Sequence, residues 1–351
     1  MESVTIVVPR YLHIGVVSSQ IMSLINYVKS PNVFLIVPES LKPHYYLILN
    51  KTKRPICIEF YKSLRQLYSL IKSKENLYIR HYESFIVASI AQITSGFSKT
   101  VIYDFRSLLY IESWYRNRSM IRVVSLWLLE FLAYRCSSKV CCVSESLKVR
   151  LVRDFGRREV LVFACGVEDV KLRMWKEITS LKFVYCGSLE NWQCFDKILA
   201  SYKAITCQSE WKVSLSVFTN EVELAKIIAN SIGVELAEVN QLSQDQVLER
   251  LTEFDFGFLY RENISVNNVA SPIKFLEYIS RGVIPIVSSG IGDFSKDAEK
   301  YELGCIVDEW KLDIKKLVAI RSDKNLYARL HRYSGAFTWV QMMRRHPLNT
   351  V

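Results

Sequence analysis

The chain has 351 residues, and half of them are hydrophobic. That is enough for two domains with full cores, and it excludes an intrinsically disordered protein. The first residues, MESVTIVVPR, lack the basic segment and long apolar run of a secretory signal peptide. The nine cysteines form no CxxC pair, and the five histidines show no metal-ligand spacing. This composition predicts a cytoplasmic protein without a metal site.

The net charge of +11 comes from one half of the chain. Residues 1–176 hold 26 lysines and arginines against 13 acidic residues, whereas residues 177–351 hold 20 against 22. Such an asymmetry favours an anionic partner for the N-terminal half, which could be a membrane surface, a phospholipid-like carrier or nucleic acid. A basic surface without a partner is the alternative.

Strand-like and helix-like segments alternate along the N-terminal half. Apolar, β-branched runs predict the strands, and amphipathic segments between them predict the helices. The predicted strands are 4–9, 33–37, 77–79, 100–105, 139–143 and 160–163. The predicted helices are 19–28, 64–71, 84–94, 119–134 and 144–155.

A polar seam at residues 166–180 separates this pattern from a second one of the same kind. Alternating strands and helices favour parallel sheets with both faces covered, so we expect two Rossmann-like domains. Their expected bounds are 1–170 and 171–330, followed by a helical segment, 331–351, that could pack back on the first domain. The predicted strands of the second domain are 181–186, 212–218, 234–239, 254–260 and 283–288, and its helices are 196–206, 221–231, 243–252 and one from residue 272.

The junction before that last helix has the chemistry of a phosphate site. Ser271 and Pro272 stand where an N-cap and a first helical residue belong. A helix N-terminus offers free N–H groups and positive dipole to an anion, and Lys274 adds a charge in the first turn. Glu277 lies three residues further on the same face, where it can accept hydrogen bonds from sugar hydroxyls. The pattern indicates a site for a nucleoside diphosphate.

Several stretches resemble retaining glycosyltransferases of the GT-B fold, of the family 4 or "group 1" type. Residues 268–282, NVASPIKFLEYISRG, resemble the family's sPxKxxEYxaxG signature. Residues 183–192, FVYCGSLENW, resemble the first strand and glycine loop of the donor domain. Residues 140–147 and 160–169, VCCVSESL and VLVFACGVED, resemble segments late in the acceptor domain, and YDFR at 103–106 resembles a yDxRg segment of some members.

This resemblance implies an α/β protein with GT-B architecture, in which two parallel sheets face a central cleft. It implies metal-independent transfer of a sugar, with retention, from a nucleotide diphospho-sugar to a glycan or lipid-linked acceptor, and no other cofactor. A bacterial surface-polysaccharide or lipopolysaccharide pathway, at the inner face of the cell membrane, fits the basic N-terminal half. The donor-binding residues are then expected to be Glu277, Ser271, Pro272, Gly187 and Ser188.

The chain also departs from the family pattern. Val269 stands where the E-x7-E motif has its first glutamate, and the basic pair that usually follows the donor-domain glycine is missing. Arg261, after the preceding strand, is the candidate to replace that diphosphate contact. Lys274 and Arg261 are therefore the predicted catalytic groups, acting on the charge of the leaving diphosphate.

Asp104 is a further catalytic candidate, and the N-terminal domain also holds the candidates for the acceptor or sugar side. Asp104 and Arg106 end a strand, although a buried salt bridge would explain both. Gly15 lies in the predicted loop after the first strand, and His13 and His81 are candidates by position only.

Two other functions remain open at the level of sequence. A non-catalytic GT-B protein that binds a nucleotide sugar or a partner would explain Val269. A nucleic-acid-binding protein would explain the basic half, but no nucleic-acid module is recognisable, so no nucleic-acid partner is expected.

Overall fold

The computed structural model describes residues 3–10, 12, 14–116, 118–173, 176–344, 346 and 348–349. The chain forms two compact units. The N-terminal unit comprises Met1–Cys165 together with Trp339–Val351, and the C-terminal unit comprises Gly166–Thr338. The candidate His13 lies outside the described residues.

The N-terminal unit is built on a sheet in which every described pairing is parallel, in the order β3-β2-β1-β4-β5-β6-β7. The strands are β1 (Ser3–Val7), β2 (Asn32–Pro38), β3 (Cys57–Tyr61), β4 (Asn76–Ile79), β5 (Thr100–Phe105), β6 (Lys139–Cys142) and β7 (Leu161–Val162). The helices are α1 (Ile14–Val16), α2 (Met22–Tyr27), α3 (Tyr45–Asn50), α4 (Leu64–Ile71), α5 (Tyr82–Thr94), α6 (Leu109–Tyr115), α7 (Met120–Cys136) and α8 (Glu145–Phe155).

The C-terminal unit repeats this plan with the strand order β10-β9-β8-β11-β12-β13, and its described pairings are again parallel. The strands are β8 (Leu181–Cys186), β9 (Val213–Phe218), β10 (Glu238–Asn240), β11 (Phe256–Leu259), β12 (Ile284–Ser288) and β13 (Cys305–Val307). The helices are α9 (Phe195–Gln208), α10 (Val222–Ile232), α11 (Gln244–Arg250), α12 (Ser265–Asn268), α13 (Ile273–Ser280), α14 (Gly292–Lys300), α15 (Ile314–Ser322) and α16 (Leu326–Ala336).

The end of the chain, with α17 (Trp339–Met343), belongs to the N-terminal unit. Trp339 is 1% exposed, and its ring centroid lies 5.9 Å from that of Phe163. Met343 and Leu348 join the same core, which also contains Val4 and Leu35 of the sheet. The final residues therefore complete the packing of the first unit.

A contact between helix and sheet holds α13 on the core of the C-terminal unit. A Cβ atom at Gly257 in β11 would lie 2.6 Å from the ring of Tyr278, so only glycine leaves room for the ring. The Tyr278 hydroxyl accepts the N–H of Cys186 at 3.2 Å and donates to the carbonyl of Phe258 at 3.3 Å. The helix is thereby fixed to both β8 and β11.

The predicted fold class, two Rossmann-like domains with parallel sheets, is confirmed. The sequence pattern does not indicate the strands β3 and β13 or the helices α1, α3, α6, α12, α14 and α15. Of these, β3 has a half-exposed edge-strand sequence, CIEFY, and β13 has three residues, so neither shows a long apolar run.

Candidate functional site

The residues predicted for donor binding lie at the carboxyl edge of the C-terminal sheet. Gly187 directly follows β8, and Arg261 follows β11. The N–H of Arg261 donates to Ser288 Oγ at 2.8 Å, and that hydroxyl donates back to the carbonyl of Arg261 at 2.8 Å. This reciprocal pair joins the ends of β11 and β12 and determines where the Arg261 side chain starts.

Helix α13 begins one residue later than the sequence predicts. Pro272 is the N-cap, with ψ of 118°, and the helix begins at Ile273, so the prediction of Ser271 as N-cap is wrong. Because Pro272 is extended, Ser271 Oγ cannot reach the first-turn N–H groups. This Oγ is buried and has no hydrogen-bond partner among the residues that the structure describes. The first bond of the turn runs from Phe275 N to the carbonyl of Pro272, so the N–H groups before it stand at the open helix end.

Lys274 extends from that first turn to the glycine loop after β8. A Cβ atom at Gly187 would lie only 1.8 Å from Lys274 Nζ, so the ammonium occupies the space that a side chain at 187 would take. Gly187 has φ of +150°, which few other residues adopt. The Nζ atom also lies 5.6 Å from the ring centroid of Tyr185. Burial, and then the neighbouring Arg261 guanidinium, lower the pKa of Lys274 to about 8.

Arg261 supplies a second, partly buried positive charge beside Lys274. Its Nη1 donates to Asn267 Oδ1 at 3.3 Å, while its buried Nε has no partner among the described residues. Burial lowers the pKa of Arg261. No carboxylate in the described part of the chain forms an ion pair with Arg261 or Lys274. Glu277 acts on the charge of Lys274 without forming an ion pair with it. Two partly buried cations without an ion-paired carboxylate form a site that favours an anion.

Glu277 lies one turn further along α13 and is 8% exposed. Its Oε1 accepts a hydrogen bond from Gln244 Nε2 at 2.8 Å. Burial raises the pKa of Glu277, although Gln244 and Lys274 act in the opposite direction. Sequence reasoning missed Gln244 because it is 33 residues distant in the chain and belongs to no motif. Gln244 is the first residue of α11, where Ser243 and Gln246 form a capping box.

Two further positions of the motif region have structural explanations. Val269, at the position where the motif that the sequence resembles has its first glutamate, is 6% exposed, so an apolar side chain is packed there. The carbonyl of Ser188 accepts the Tyr185 hydroxyl at 2.5 Å, and this bond shapes the loop after Gly187. Ser188 itself is exposed.

Asp104 and Arg106 form a separate cluster within the N-terminal unit. Asp104 is fully buried, and its Oδ2 lies 2.6 Å from Arg106 Nε and 2.9 Å from Arg80 Nε. Tyr78 donates its hydroxyl to the same oxygen. Burial alone would raise the pKa of Asp104, but Arg106 and Arg80 outweigh it and the pKa is lowered. The geometry is that of a buried ion pair, which was the structural alternative for these residues.

The remaining N-terminal candidates, His81 and Gly15, accept hydrogen bonds from residues close to them in the chain. His81 is the N-cap of α5, where its Nδ1 accepts the N–H of Glu83 at 3.4 Å. Burial lowers the pKa of His81 to about 4, so its imidazole is neutral at physiological pH. Gly15 lies in α1 and not in an open loop, and its carbonyl accepts the Ser19 hydroxyl at 2.7 Å. In the described residues, no group of three or more His, Cys, Asp or Glu side chains could hold a metal ion.

No protein-family model and no curated protein matches the chain by sequence. Its fold, however, is similar to solved structures over nearly its whole length. HepE of Anabaena, in complex with UDP, has a TM-score of 0.69 at 10% identity, covering 98% of both chains. Sucrose-phosphate synthase from Thermosynechococcus elongatus has a TM-score of 0.70 at 10% identity, covering 98% of this chain and 97% of that one.

A third similar structure is an alpha-glucosyltransferase in complex with UDP-glucose and DNA containing an abasic site. Its TM-score is 0.58 at 14% identity, covering 97% of this chain and 95% of that one. Together with the two parallel sheets, these matches define the fold class: the chain has the GT-B fold of these glycosyltransferases. The predicted likeness to GT-B glycosyltransferases is thereby confirmed.

Proposed function

We propose that the protein is a glycosyltransferase that moves a sugar from a nucleotide diphospho-sugar to a glycan or lipid-linked acceptor. The observation that carries this proposal is the pair of partly buried cations, Lys274 and Arg261, without an ion-paired carboxylate in the described part of the C-terminal unit. A bound diphosphate would supply the missing negative charge. The GT-B fold and the complexes of similar structures with UDP and UDP-glucose support a nucleotide sugar as its source.

The chemistry assigned to this site is electrostatic. As the bond between sugar and diphosphate breaks, negative charge grows on the leaving phosphate, and Lys274 and Arg261 stabilise it. The open N–H groups at the start of α13, next to Pro272, favour the same charge. Two protein cations can serve the role that a divalent metal has in other transferases, which agrees with the metal independence implied by the motif resemblance. Retention is proposed from that resemblance alone.

Glu277 is assigned to the ribose of the nucleotide. Gln244 binds its Oε1 and orients the carboxylate, which leaves Oε2 for a sugar hydroxyl. Gly187 and Ser188 would contact the diphosphate through their backbone. Because Gly187 has no side chain, the Lys274 ammonium has room to lie beside the same loop. Ser271, with its unpaired buried hydroxyl, is assigned to the same side of the site.

The N-terminal unit is assigned to the acceptor. Its basic composition fits a lipid-linked or otherwise anionic acceptor and peripheral attachment to the inner face of a bacterial cell membrane. No helix among the described residues is long and apolar enough to cross a bilayer. A role in surface-polysaccharide or lipopolysaccharide synthesis follows from this assignment.

Calorimetric titration with UDP, GDP and ADP tests the proposal first, since the bound nucleotide must be a diphosphate. We expect Glu277→Ala to weaken binding by roughly 1.5–3 kcal/mol through loss of a charged hydrogen bond. The matched control is Glu253→Ala, which removes an exposed carboxylate paired with Arg250 in the same unit. Failure of all three nucleotides to bind would overturn the proposal.

Release of nucleotide from a panel of UDP-, GDP- and ADP-sugars tests catalysis separately. Turnover with one donor supports the enzyme. Binding without turnover of any donor, with or without added acceptors, would favour the non-catalytic alternative, for which the buried Val269 in place of a glutamate is the supporting observation.

A further inference from the structure

Two consecutive helices of the N-terminal unit present large apolar side chains to solvent. We call this region the α6–α7 surface. Ile121 is 80% exposed, Met120 58% and Trp114 57%, although side chains of these types are usually buried. The exposed members are Trp114, Tyr115, Met120, Ile121, Val124, Trp127, Leu128 and Leu132.

Helix α7 is apolar on two opposite sides. Leu126 and Ala133 face the core of the unit, whereas Val124, Leu128 and Leu132 recur every four residues on the exposed side. A helix on the surface of a globular protein usually has a polar outer face. With 17 residues, α7 is about 25 Å long, so its outer side offers an elongated apolar strip.

The ionic groups exposed around this strip are all positive in the described residues of 109–136, where Arg116, Arg118, Arg122 and Arg135 are exposed. Glu130 is 1% exposed, because its carboxylate accepts the N–H groups at the start of α6 at 2.9 and 3.2 Å. Glu112 is half-buried.

We propose that the α6–α7 surface docks on an anionic phospholipid bilayer, with α7 parallel to the membrane plane. Aliphatic side chains such as Ile121 and Leu128 would enter the boundary of the acyl chains. Trp114 and Trp127 would lie at the interface, and the arginines would bind lipid phosphates. The α6–α7 surface would then be the part of the N-terminal unit that makes the proposed peripheral attachment. The docking proposal does not depend on whether the protein transfers a sugar.

Charge argues for a bilayer over a second copy of the chain. In a two-fold dimer the same patch meets itself, so the arginines of one copy would face those of the other. An isologous interface would need acidic partners on the same surface, but in the described residues of 109–136 Glu130 is buried and Glu112 is half-buried. Anionic headgroups supply that complement directly.

Co-sedimentation with vesicles tests the proposal. We expect the full chain to bind vesicles of phosphatidylcholine with phosphatidylglycerol, to bind pure phosphatidylcholine at least tenfold less, and to be partly released by high salt. The double variant Ile121→Gln/Leu128→Gln should reduce binding at least tenfold. The matched control is Ile227→Gln, because Ile227 is 64% exposed on α10 of the other unit.

Brominated lipids provide a readout at the surface itself, since they quench tryptophans that enter the bilayer. Quenching should fall in Trp114→Phe/Trp127→Phe compared with the parent. Circular dichroism and thermal unfolding of each variant check that the substituted N-terminal unit is folded, and UDP titration keeps a failure here distinct from a failure of the donor site in the other unit. Vesicle binding that the Ile121→Gln/Leu128→Gln variant retains, no binding to either vesicle, or a parent dimer that this variant dissociates would each overturn the proposal.

Discussion

Replacing Lys274 by methionine is expected to stabilise the protein and at the same time to abolish its response to nucleotide. The pKa of Lys274 is about 8, against an ordinary value of 10.5. This difference corresponds to roughly 3 kcal/mol, at about 1.4 kcal/mol per pH unit. The protonated side chain therefore destabilises the folded state. Loss of the contact with the Tyr185 ring offsets about 0.5–1 kcal/mol, so the expected net gain is roughly 2 kcal/mol.

The size of this effect depends on pH. Below about pH 8 the lysine is protonated in both states, so the parent has the full penalty of burying the charge. As the pH rises from about 8 towards 10.5, the folded protein loses the proton before the unfolded chain does, and the parent becomes more stable. The advantage of Lys274→Met should therefore be largest near neutral pH and shrink in alkali.

Urea unfolding at about pH 7 and about pH 9.5, with and without UDP, measures both effects. UDP should stabilise the parent and not Lys274→Met. Above about pH 8 the affinity of the parent for UDP should fall by up to about tenfold per pH unit, because the free site is losing its proton. The control is Lys226→Met, which removes an exposed lysine paired with Glu223. Equal stability and equal response to UDP in parent and Lys274→Met would refute the reasoning.

Three further variants probe the same unit. Gly187→Ala should weaken UDP binding at least tenfold, seen by calorimetry, because its Cβ would displace the Lys274 ammonium; unchanged affinity would contradict the contact. Arg261→Gln should lower kcat, measured with the donor that turns over, more than it lowers nucleotide affinity, since its charge acts most on the leaving group; equal losses in both would place its role in binding alone. Asp255→Asn should cost about 3–5 kcal/mol in urea unfolding, because the buried Arg321 and the partly buried Arg173 lose their shared counter-ion, while UDP affinity of the folded protein stays unchanged.

The fold could be predicted because parallel strands buried on both faces have an unmistakable composition. Strands β5 and β8 and helix α4 have the predicted bounds, 100–105, 181–186 and 64–71. Helix α6 could not be found this way, because its start depends on Glu130. The Glu130 carboxylate accepts the N–H groups of Leu109 and Tyr110, although it lies 21 and 20 residues after them in the chain. Such a cap is visible only when α6 and α7 are packed.

The sequence predicted the parts of the site that lie close together in the chain, but not the contacts between distant segments. Lys274 and Glu277 share a turn, so their spacing alone places them together. The contact of Lys274 with Gly187, the Gln244 bond to Glu277 and the tie between Arg261 and Ser288 join distant segments, and no sequence pattern records them. The shift of the helix start depends on the extended ψ of Pro272.

The packing of α17 and the residues after it on the first unit has a consequence for dissecting the protein. A fragment of residues 1–165 would lack Trp339, Met343 and Leu348, whose side chains belong to the core of the N-terminal unit. The C-terminal unit, Gly166–Thr338, is instead one continuous segment. A cut between the two units therefore leaves a gap in the core of the first unit, whereas the second unit keeps all of its residues.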